Sequence, residues 1–360
     1  MKILMLSTNS DEAGAPRNAE QIINGLEKKH EFIFVSGQKG KVYKRLQRKG
    51  FCVYRIKELK SKISIMKDLI SIFKLVQIIS RVKPDIIHMH SSKAGLVGRV
   101  AAIFFDIKSI YSVHGWGWRG MNHFKKNIIF FSEYFVSKLK KTKYILVCHA
   151  LEKYALKQLS IKKENIEVIL NGIDDIKPSK KEHIYTKKLN LIMPARTDKS
   201  KDHDSLFRAL KTIDYPFRLV LCGSGTDCDN FKKNAYSILG KKTKEIEFLG
   251  EISNINDFLV EADVFILSSN FEALPISIIE AQRSALAIIA TNIGGVPELI
   301  TDKKDGLLFN KNDHNELAIL LDKLKNPDFR KLLGTNARNK FLTKFTSKMM
   351  IENIEKIYVS

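Results

Sequence analysis

Cysteine is scarce. The chain has four, Cys52, Cys148, Cys222 and Cys228. None forms a CxxC pair, and the spacing suits neither a disulfide framework nor a zinc site, so they read as reduced thiols. Long apolar runs are missing too. The best candidate, 94–105, contains Arg99 and falls short of the ~18–20 residues that span a bilayer. The opening ILML run is too short for the core of a signal peptide. The chain is therefore expected in the cytoplasm, or on a membrane surface without crossing it. No GxxxxGK[ST] phosphate loop occurs, and the loop after the first strand, DEAGAPR, is not GxGxxG, which argues against a P-loop nucleotidase and a dinucleotide dehydrogenase. No internal repeat or low-complexity tract is present.

Acidic residues are scarce in one half only. The net charge is +22, from 61 Lys+Arg against 39 Asp+Glu. Residues 1–180 hold 34 basic and 15 acidic side chains, a balance of +19, which leaves +3 for residues 181–360. A basic half can meet nucleic acid, an anionic membrane or a phosphorylated substrate. At 360 residues with 44% hydrophobic content, the chain can bury two cores.

Short apolar runs alternate with longer periodic segments throughout. Strands are expected at 3–7, 31–36, 51–56, 85–88, 109–113 and 144–147, then at 189–194, 217–222, 246–249, 264–268 and 287–290. Helices are expected between them, at 18–29, 42–49 and 64–82 among others, and over 341–358 at the end. This alternation predicts α/β architecture, two doubly wound Rossmann-like domains with parallel sheets. The polar stretch 171–188 separates the series. The expected domains are 1–175 and 188–340, with 341–360 a C-terminal helix. Such sheets bind ligands at the carboxyl ends of their strands, and two facing domains would leave a cleft.

The densest chemical signal lies in SSNFEALPISIIEA followed by IGGVPELI. A strand, a short loop and a helix starting near Pro275 or Ile276 would point free N–H groups at an anion. Glu272 in the loop and Glu280 in the helix could accept hydrogen bonds from sugar and ribose hydroxyls. A bare pair at this spacing is more often two surface glutamates; the strand-loop-helix setting and the later GGVPE favour a functional pair. In PARTDKSKDH, Arg196 and Lys201 follow a strand and precede a helix near Asp204, a pattern suited to a diphosphate. The alternative is a solvated basic loop. Gly223 and Gly225 in CGSG permit a tight turn, which alone signals little.

In the first half, Gly14 follows the first strand and precedes a helix. SVHGWGWRG ends a strand with His114, Trp116, Trp118 and Arg119, so a histidine could meet a substrate hydroxyl or leaving phosphate, and the tryptophans a sugar or lipid. A packed histidine with core tryptophans is the bland alternative, most credible for Trp116. His88 and His90 have metal-ligand spacing, but no third ligand is evident and they read as structural. Asp227 and Asp229 have the letters of a metal motif without its setting.

Together these segments resemble a glycosyltransferase of the GT-B fold, of the family 4 (group 1) type met in bacterial polysaccharide and O-antigen biosynthesis. The resemblance runs through AGAPR, PDIIHMHSSKAGLVGRVAA, SVHGW, ILNGID, ARTDKSKDH, LCGSG, FLGEI, ADVFILSSNFEALPISIIEA and IGGVPELI. It implies two domains facing across a cleft and a nucleotide-diphospho-sugar donor, UDP-sugar favoured, held mainly by the second domain. Glu280 would bind the ribose, Glu272 the sugar, and Arg196 and Lys201 the diphosphate. Leu274, Pro275, Ile276 and Ser277 would present helix-terminal N–H groups. Gly223 and the backbone around Leu249, through 251, would line the donor site, the latter reading the base. Gly14 would close on the diphosphate, and His114 would contact the donor sugar. Trp116, Trp118 and Arg119 would serve the acceptor side. No metal or other cofactor is implied. The chain departs from the family pattern in having one glycine, Gly14, where two are common, and Lys201-Asp202 where Lys-Gly is usual. The resemblance implies retention at the anomeric carbon, although His114 could in principle serve as the base of an inverting reaction.

The basic half carries two apolar stripes at helical spacing. One comprises Ile65, Leu69, Ile72, Phe73, Val76 and Ile79; the other Phe124, Ile128, Phe131, Phe135 and Leu139. They could face the core or a bilayer. With the lysine excess they predict peripheral binding to the anionic inner face of the cell membrane, where a polyprenyl diphosphate-linked saccharide would be the acceptor. No helix-turn-helix, zinc-finger or RNP-like motif supports nucleic acid. Two rivals are a nucleotide-sugar 2-epimerase of the same architecture and a non-enzymatic basic membrane- or polyanion-binding protein.

Overall fold

A computed structural model describes residues 1–62, 64–116, 123–176 and 188–360. The chain forms two units, one from residues 1–171 and 347–360, the other from residues 172–346.

The first unit alternates strand and helix: β1 (Lys2–Ser7), α1 (Gly14–Leu26), β2 (Glu31–Ser36), α2 (Lys41–Arg48), β3 (Cys52–Arg55), α3 (Ile65–Val82), β4 (Ile86–His90), α4 (Ser92–Ala102), β5 (Lys108–Val113), α5 (His123–Leu139), β6 (Thr142–Leu146), α6 (His149–Gln158) and β7 (Ile166–Val168). Its seven strands lie in the order β3-β2-β1-β4-β5-β6-β7, all paired in parallel. β1 and β4 are buried along nearly their whole length. That explains their continuous apolar runs, since a parallel sheet is covered on both faces.

The second unit repeats the plan: β8 (Leu189–Pro194), α7 (His203–Thr212), β9 (Phe217–Cys222), α8 (Asp229–Leu239), β10 (Ile246–Phe248), α9 (Asn256–Glu261), β11 (Val264–Leu267), α10 (Ile276–Arg283), β12 (Ala287–Thr291), α11 (Val296–Leu299), β13 (Leu307–Phe309), α12 (His314–Lys323) and α13 (Pro327–Lys344). Its parallel sheet runs β10-β9-β8-β11-β12-β13. The final helix, α14 (Ser347–Val359), belongs to the first unit. Met350, Ile354, Ile357 and Tyr358 enter the core shared by β1, β2 and α1.

Several expectations are corrected. The helix expected over 341–358 is two helices, broken at Phe345 and Thr346, where Phe345 O accepts a hydrogen bond from Ile173 N at 3.0 Å. The helix expected to begin at residue 18 begins at Gly14; its opening Gly-Ala-Pro is a poor helix run in isolation, but Pro is well placed in a first turn. β7 and β13, three residues each, lie at sheet edges and were not expected.

The two apolar stripes do not both seek the core. On α3 only Ile79 of the stripe is buried, beside Ser71 and Leu75, while Ile65, Leu69 and Phe73 are exposed. On α5, Ile128, Phe131, Phe135 and Leu139 are all exposed, whereas Glu133 is buried; the side chain of Phe124 lies outside the described residues. Glu133 accepts from Arg99 Nη2 at 2.7 Å, and Arg99 also donates to Tyr144 Oη at 2.7 Å and Gly95 O at 2.8 Å. A buried charge survives when it is paired and hydrogen-bonded in this way.

Candidate active site

In the second unit, β8 and β11 are adjacent parallel strands, Val264 opposite Leu191 and Phe265 opposite Ile192. Their following loops therefore emerge side by side. Asp202 N donates to Ser268 O at 3.1 Å and Asn270 N to Ser200 O at 2.7 Å. This stitching brings Lys201 to Glu272, 71 residues later, with Nζ 2.5 Å from Oε1. Ser269 Oγ donates to the same oxygen at 2.8 Å. Both charged side chains are about nine-tenths buried, at 12% and 11% exposure.

The GGVPE segment holds this loop from behind. Gly294 has φ +54°, and a Cβ there would lie 2.0 Å from Glu272 O. Only glycine meets both demands. Gly295 N donates to Ala273 O at 2.9 Å, and Ser269 N to Thr291 Oγ1 at 3.0 Å.

α10 follows directly. Pro275 is its N-cap and no side chain caps it. Pro275 has no N–H to offer, so Leu274 and Pro275 precede the helix and its first donors come from Ile276 and Ser277. Glu280 is buried within α10. Cys222, at the end of β9, has its thiol pushed up to about 12 by burial, with the Glu280 charge adding to it. Glu280 is the fifth residue of α10, which starts beyond the carboxyl end of β11, the edge from which the Glu272 loop emerges.

The other predicted residues fall as follows. Arg196 is mostly exposed and pairs with Asp198 at 3.2 Å. Burial pushes the Asp198 carboxyl up, but hydrogen bonds from Ser200 and the charges of Arg196 and Lys201 outweigh it and hold the group low. Asp202 is the N-cap of α7: Ser205 N donates to Oδ1 at 3.1 Å and Ser205 Oγ to Oδ2 at 2.6 Å. A carboxylate therefore already occupies that helix terminus, and the cations Arg196 and Lys201 remain the groups of this segment suited to a diphosphate. Gly223, at φ +135°, lies where a Cβ would sit 2.6 Å from Ala195 O. The N–H of Leu249 is spent on Leu221 O at 2.9 Å, and Gly250 receives Gly223 N on its carbonyl at 2.6 Å. The Leu249 carbonyl and Glu251 remain as the backbone that could read a base.

In the first unit, Gly14 is the exposed first residue of α1, a helix without a side-chain cap. His114 follows β5. Its Nε2 lies 3.1 Å from His90 Nδ1, so the two rings share one proton. His88 is committed on both nitrogens, Nδ1 to Tyr358 Oη at 2.6 Å and Nε2 to Ser112 Oγ at 2.8 Å, which agrees with a structural role. Burial depresses all three histidines, His114 to about 4 and His88 to about 3, with neighbouring imidazoles adding to the effect on His88 and His90. They are neutral at pH 7. Trp116 is buried, 3% exposed, against Tyr154. That corrects its assignment to an acceptor surface: the ring belongs to the core. Trp118 and Arg119 lie outside the described residues. Among the described residues no group of three His, Cys, Asp or Glu side chains is placed to hold a metal, and no helix is long and apolar enough to cross a membrane.

Sequence reasoning missed the residues that orient the acid. Ser269 and Thr291 carry no motif of their own, and Gly294 entered only as part of GGVPE, with no role of its own. The doubled glycine directly before VPE was the available hint, since a paired glycine marks close backbone approach.

Comparison with known proteins bears on the family and the fold. The family described as "Glycosyl transferases group 1" matches residues 174–340, and "Glycosyltransferase Family 4" matches residues 13–176. A UDP-Gal:alpha-D-GlcNAc-diphosphoundecaprenol alpha-1,3-galactosyltransferase of Escherichia coli is 28% identical over 82% of this chain and 81% of its own. The capsular polysaccharide biosynthesis glycosyltransferase CapM of Staphylococcus aureus is 25% identical over 93% and 92%. Among solved structures, Anabaena Alr3699/HepE in complex with UDP-glucose superposes with a TM-score of 0.84 at 19% identity, covering 100% of this chain and 99% of that one. With the two family matches running from residue 13 to residue 340, the chain belongs to the GT-B glycosyltransferases of the group 1, family 4 type.

Proposed function

We propose that the enzyme transfers a hexosyl or N-acetylhexosaminyl group from a UDP-sugar to a polyprenyl diphosphate-linked saccharide, with retention, in O-antigen or capsule assembly. The observation that carries this reading is the buried Lys201–Glu272 pair at the carboxyl edge of the second sheet, beside Glu280 and the uncapped start of α10. Support for the donor base comes from the UDP-sugar in the name of the galactosyltransferase relative and from the UDP-glucose in the Anabaena complex. Support for the acceptor comes from the diphosphoundecaprenol in that relative's name.

Glu280 takes the ribose hydroxyls. Glu272 keeps one oxygen for Lys201 and Ser269 and turns the other to a hydroxyl of the donor sugar. Lys201 retains further N–H donors for the diphosphate, joined by Arg196 from the more exposed side and by Ile276 and Ser277 N–H from α10. Preorganised donors of this kind stabilise the charge that develops on the leaving diphosphate, and no metal is required. Gly14 and His114 contribute from the first unit, toward the diphosphate and the sugar. The bond from the anomeric carbon to the phosphate oxygen breaks, the acceptor oxygen forms the new bond on the same face, and its proton passes to the departing phosphate. A histidine held near pKa 4 is a weak base at neutral pH, which favours this route over inversion by His114.

The enzyme is further proposed to work on the cytoplasmic face of the membrane, drawn there by its basic first half. The test is a thermal-shift panel of UDP, GDP, ADP and CMP and their sugars without added metal. A shift with the UDP series that disappears in Arg196→Ala and Glu280→Ala is the expected result. No shift with any nucleotide in a folded sample would sink the reading.

A further inference from the structure

His114 is one of three stacked imidazoles. The parallel register sets His88 of β4 opposite Ile110 and His90 opposite Ser112 of β5. Alternate strand residues share a face, so His88, His90 and Ser112 line one side of the sheet and His114 follows two residues on. The ring centroids of His88 and His90 are 4.4 Å apart, and those of His90 and His114 5.4 Å apart. His88 is fixed at both nitrogens by Tyr358 and Ser112. The backbone beyond His90 is held as well. Ser91 has φ +82°, a strained conformation for a residue with a side chain, and its Oγ lies 2.7 Å from Thr8 Oγ1. His90 is thereby held between two rings at a pinned strand end.

His90 is fully buried. Its Nδ1 lies 3.1 Å from His114 Nε2, and its own Nε2 is buried without a partner. A neutral imidazole carries one N–H and one lone pair, so two arrangements satisfy the contact. If His114 donates from Nε2, the proton of His90 must sit on His90 Nε2, as a buried N–H with no acceptor. If His90 donates from Nδ1, its Nε2 keeps only a lone pair. Orphaned buried N–H groups are rarer than under-satisfied acceptors, which favours the second arrangement. A doubly protonated His90 is excluded, because burial and the neighbouring rings hold its pKa well below the usual value. The second arrangement occupies the Nε2 lone pair of His114 and puts its proton on Nδ1. The His114 side chain is half-buried, and among the described residues nothing else bonds to it.

We infer that His90 is a positioning residue: by donating from Nδ1 to His114 Nε2 it fixes His114 as the Nδ1–H tautomer, so that His114 offers the donor sugar a hydrogen-bond donor and no basic lone pair. Each imidazole nitrogen takes its role from the bond that the other makes. The consequence is chemical. An Nδ1–H can donate to a sugar hydroxyl oxygen or to an oxygen of the leaving phosphate, but it cannot take the proton of an acceptor hydroxyl. This inference rests on the proposed place of His114 at the donor sugar and deepens that reading: transfer with retention needs no base here, and the stack withholds one. The tautomer itself belongs to the first unit and exists without substrate.

The test is long-range proton–nitrogen correlation NMR of the full-length protein, isotope-labelled at histidine, at pH 7 without ligand. The His114 signals are assigned by their loss in H114N. Wild-type His114 is expected to carry its proton on Nδ1, and H90L is expected to lose that fixed form. A wild-type His114 protonated on Nε2 would overturn the assignment, whether or not any variant folds. Turnover gives the second readout. H90L should lower kcat by at least about tenfold and change KM for the UDP-sugar less, since a wrong tautomer removes the donor and keeps the ring. H90N, whose amide N–H stands in for Nδ1–H, should recover most of that loss. Unchanged circular dichroism spectra would establish that both variants are folded. An H90L with wild-type kcat, or an H90N no better than H90L, would overturn the positioning role. A wild type that shows the Nδ1–H form and transfers no sugar would sink the transfer reading alone and leave the tautomer standing.

Discussion

The two units share one alternating plan and differ in what they do with charge. In the second unit the sheet's carboxyl edge gathers opposite charges into a tight pair, Lys201 on Glu272, clamped by a glycine that touches the acid's own carbonyl. In the first unit the corresponding edge holds neutral histidines, and the cations lie mostly on the surface. The balance of +19 against +3 is the sequence trace of that division. The same architecture thus serves two tasks, because a doubly wound sheet dictates where loops emerge and leaves their chemistry free.

The largest expected contrast between the units is in acid stability. His88 and His90 are buried and His114 is half-buried, all three are neutral, and their folded-state pKa values lie below the ordinary value of about 6.5. Below about 6.5 the unfolded chain takes up protons that the folded first unit refuses, so stability present at neutral pH is lost as pH falls, down to about 4 for His114 and about 3 for His88. A tenfold change in proton affinity is worth about 1.36 kcal/mol, so the loss is on the order of several kcal/mol. Urea denaturation followed at pH 7 and pH 4.5, with tryptophan fluorescence reporting the first unit, checks it; Trp116 and Trp118 are the only tryptophans in the chain. A fluorescence midpoint that does not move would break the comparison.

Next comes the paired charge of the second unit. Lys201→Ala and Glu272→Ala should each lower kcat/KM by about 10²–10³, the range for removing one preorganised transition-state donor or its partner. Because the two groups act as a unit, the double variant should cost little more than either single one. Steady-state rates with a UDP-sugar and a lipid-linked acceptor measure this. Fully additive losses would mean that the Lys201–Glu272 contact is not the working arrangement.

Much of this was legible in the sequence, and the failures have a common cause. β2, β8 and β9 have the boundaries expected from their apolar runs, because buried parallel strands leave an uninterrupted apolar signature. The edge strands β7 and β13 do not, since three residues carry too little pattern. Periodicity found the stripes on α3 and α5 but not their direction: it reports that apolar side chains share a face and not what that face meets. Glu272 and Lys201 were each singled out, but their contact across 71 residues comes from the adjacency of β8 and β11, a property of the sheet. Trp116 was grouped with Trp118 and Arg119 on the acceptor side because the run ends a strand, and the packed alternative named for it is the one that holds: the core takes that ring.

A smaller effect sharpens the picture of the clamp. Gly294→Ala places a Cβ against Glu272 O in a backbone with φ +54°. The strain should cost about 1–3 kcal/mol. Relief comes most readily by shifting the Glu272 loop, so the variant should weaken donor binding more than it lowers the melting temperature of the first unit. Isothermal titration with UDP-sugar and a differential scan separate the two. Equal loss in both units would mean that the substitution acts globally and not through the loop.

The smallest effect compares helix starts. α7 is capped by Asp202, whereas α1 begins at Gly14 with no side-chain cap. Asp202→Ala should cost about 1 kcal/mol and Asp202→Gly only a few tenths, since glycine is a tolerable N-cap and alanine is not. Charge adds a second consequence. Removing the carboxylate bares the N–H groups of α7 beside Lys201 and takes a negative charge away from where a diphosphate would bind. Asp202→Gly should therefore bind UDP slightly tighter than wild type while being slightly less stable, two changes of opposite sign from one substitution. A purely structural cap would weaken both together. If UDP affinity falls in step with stability, the Asp202 carboxylate serves the loop that positions Lys201, and its place at the helix start is a matter of folding alone.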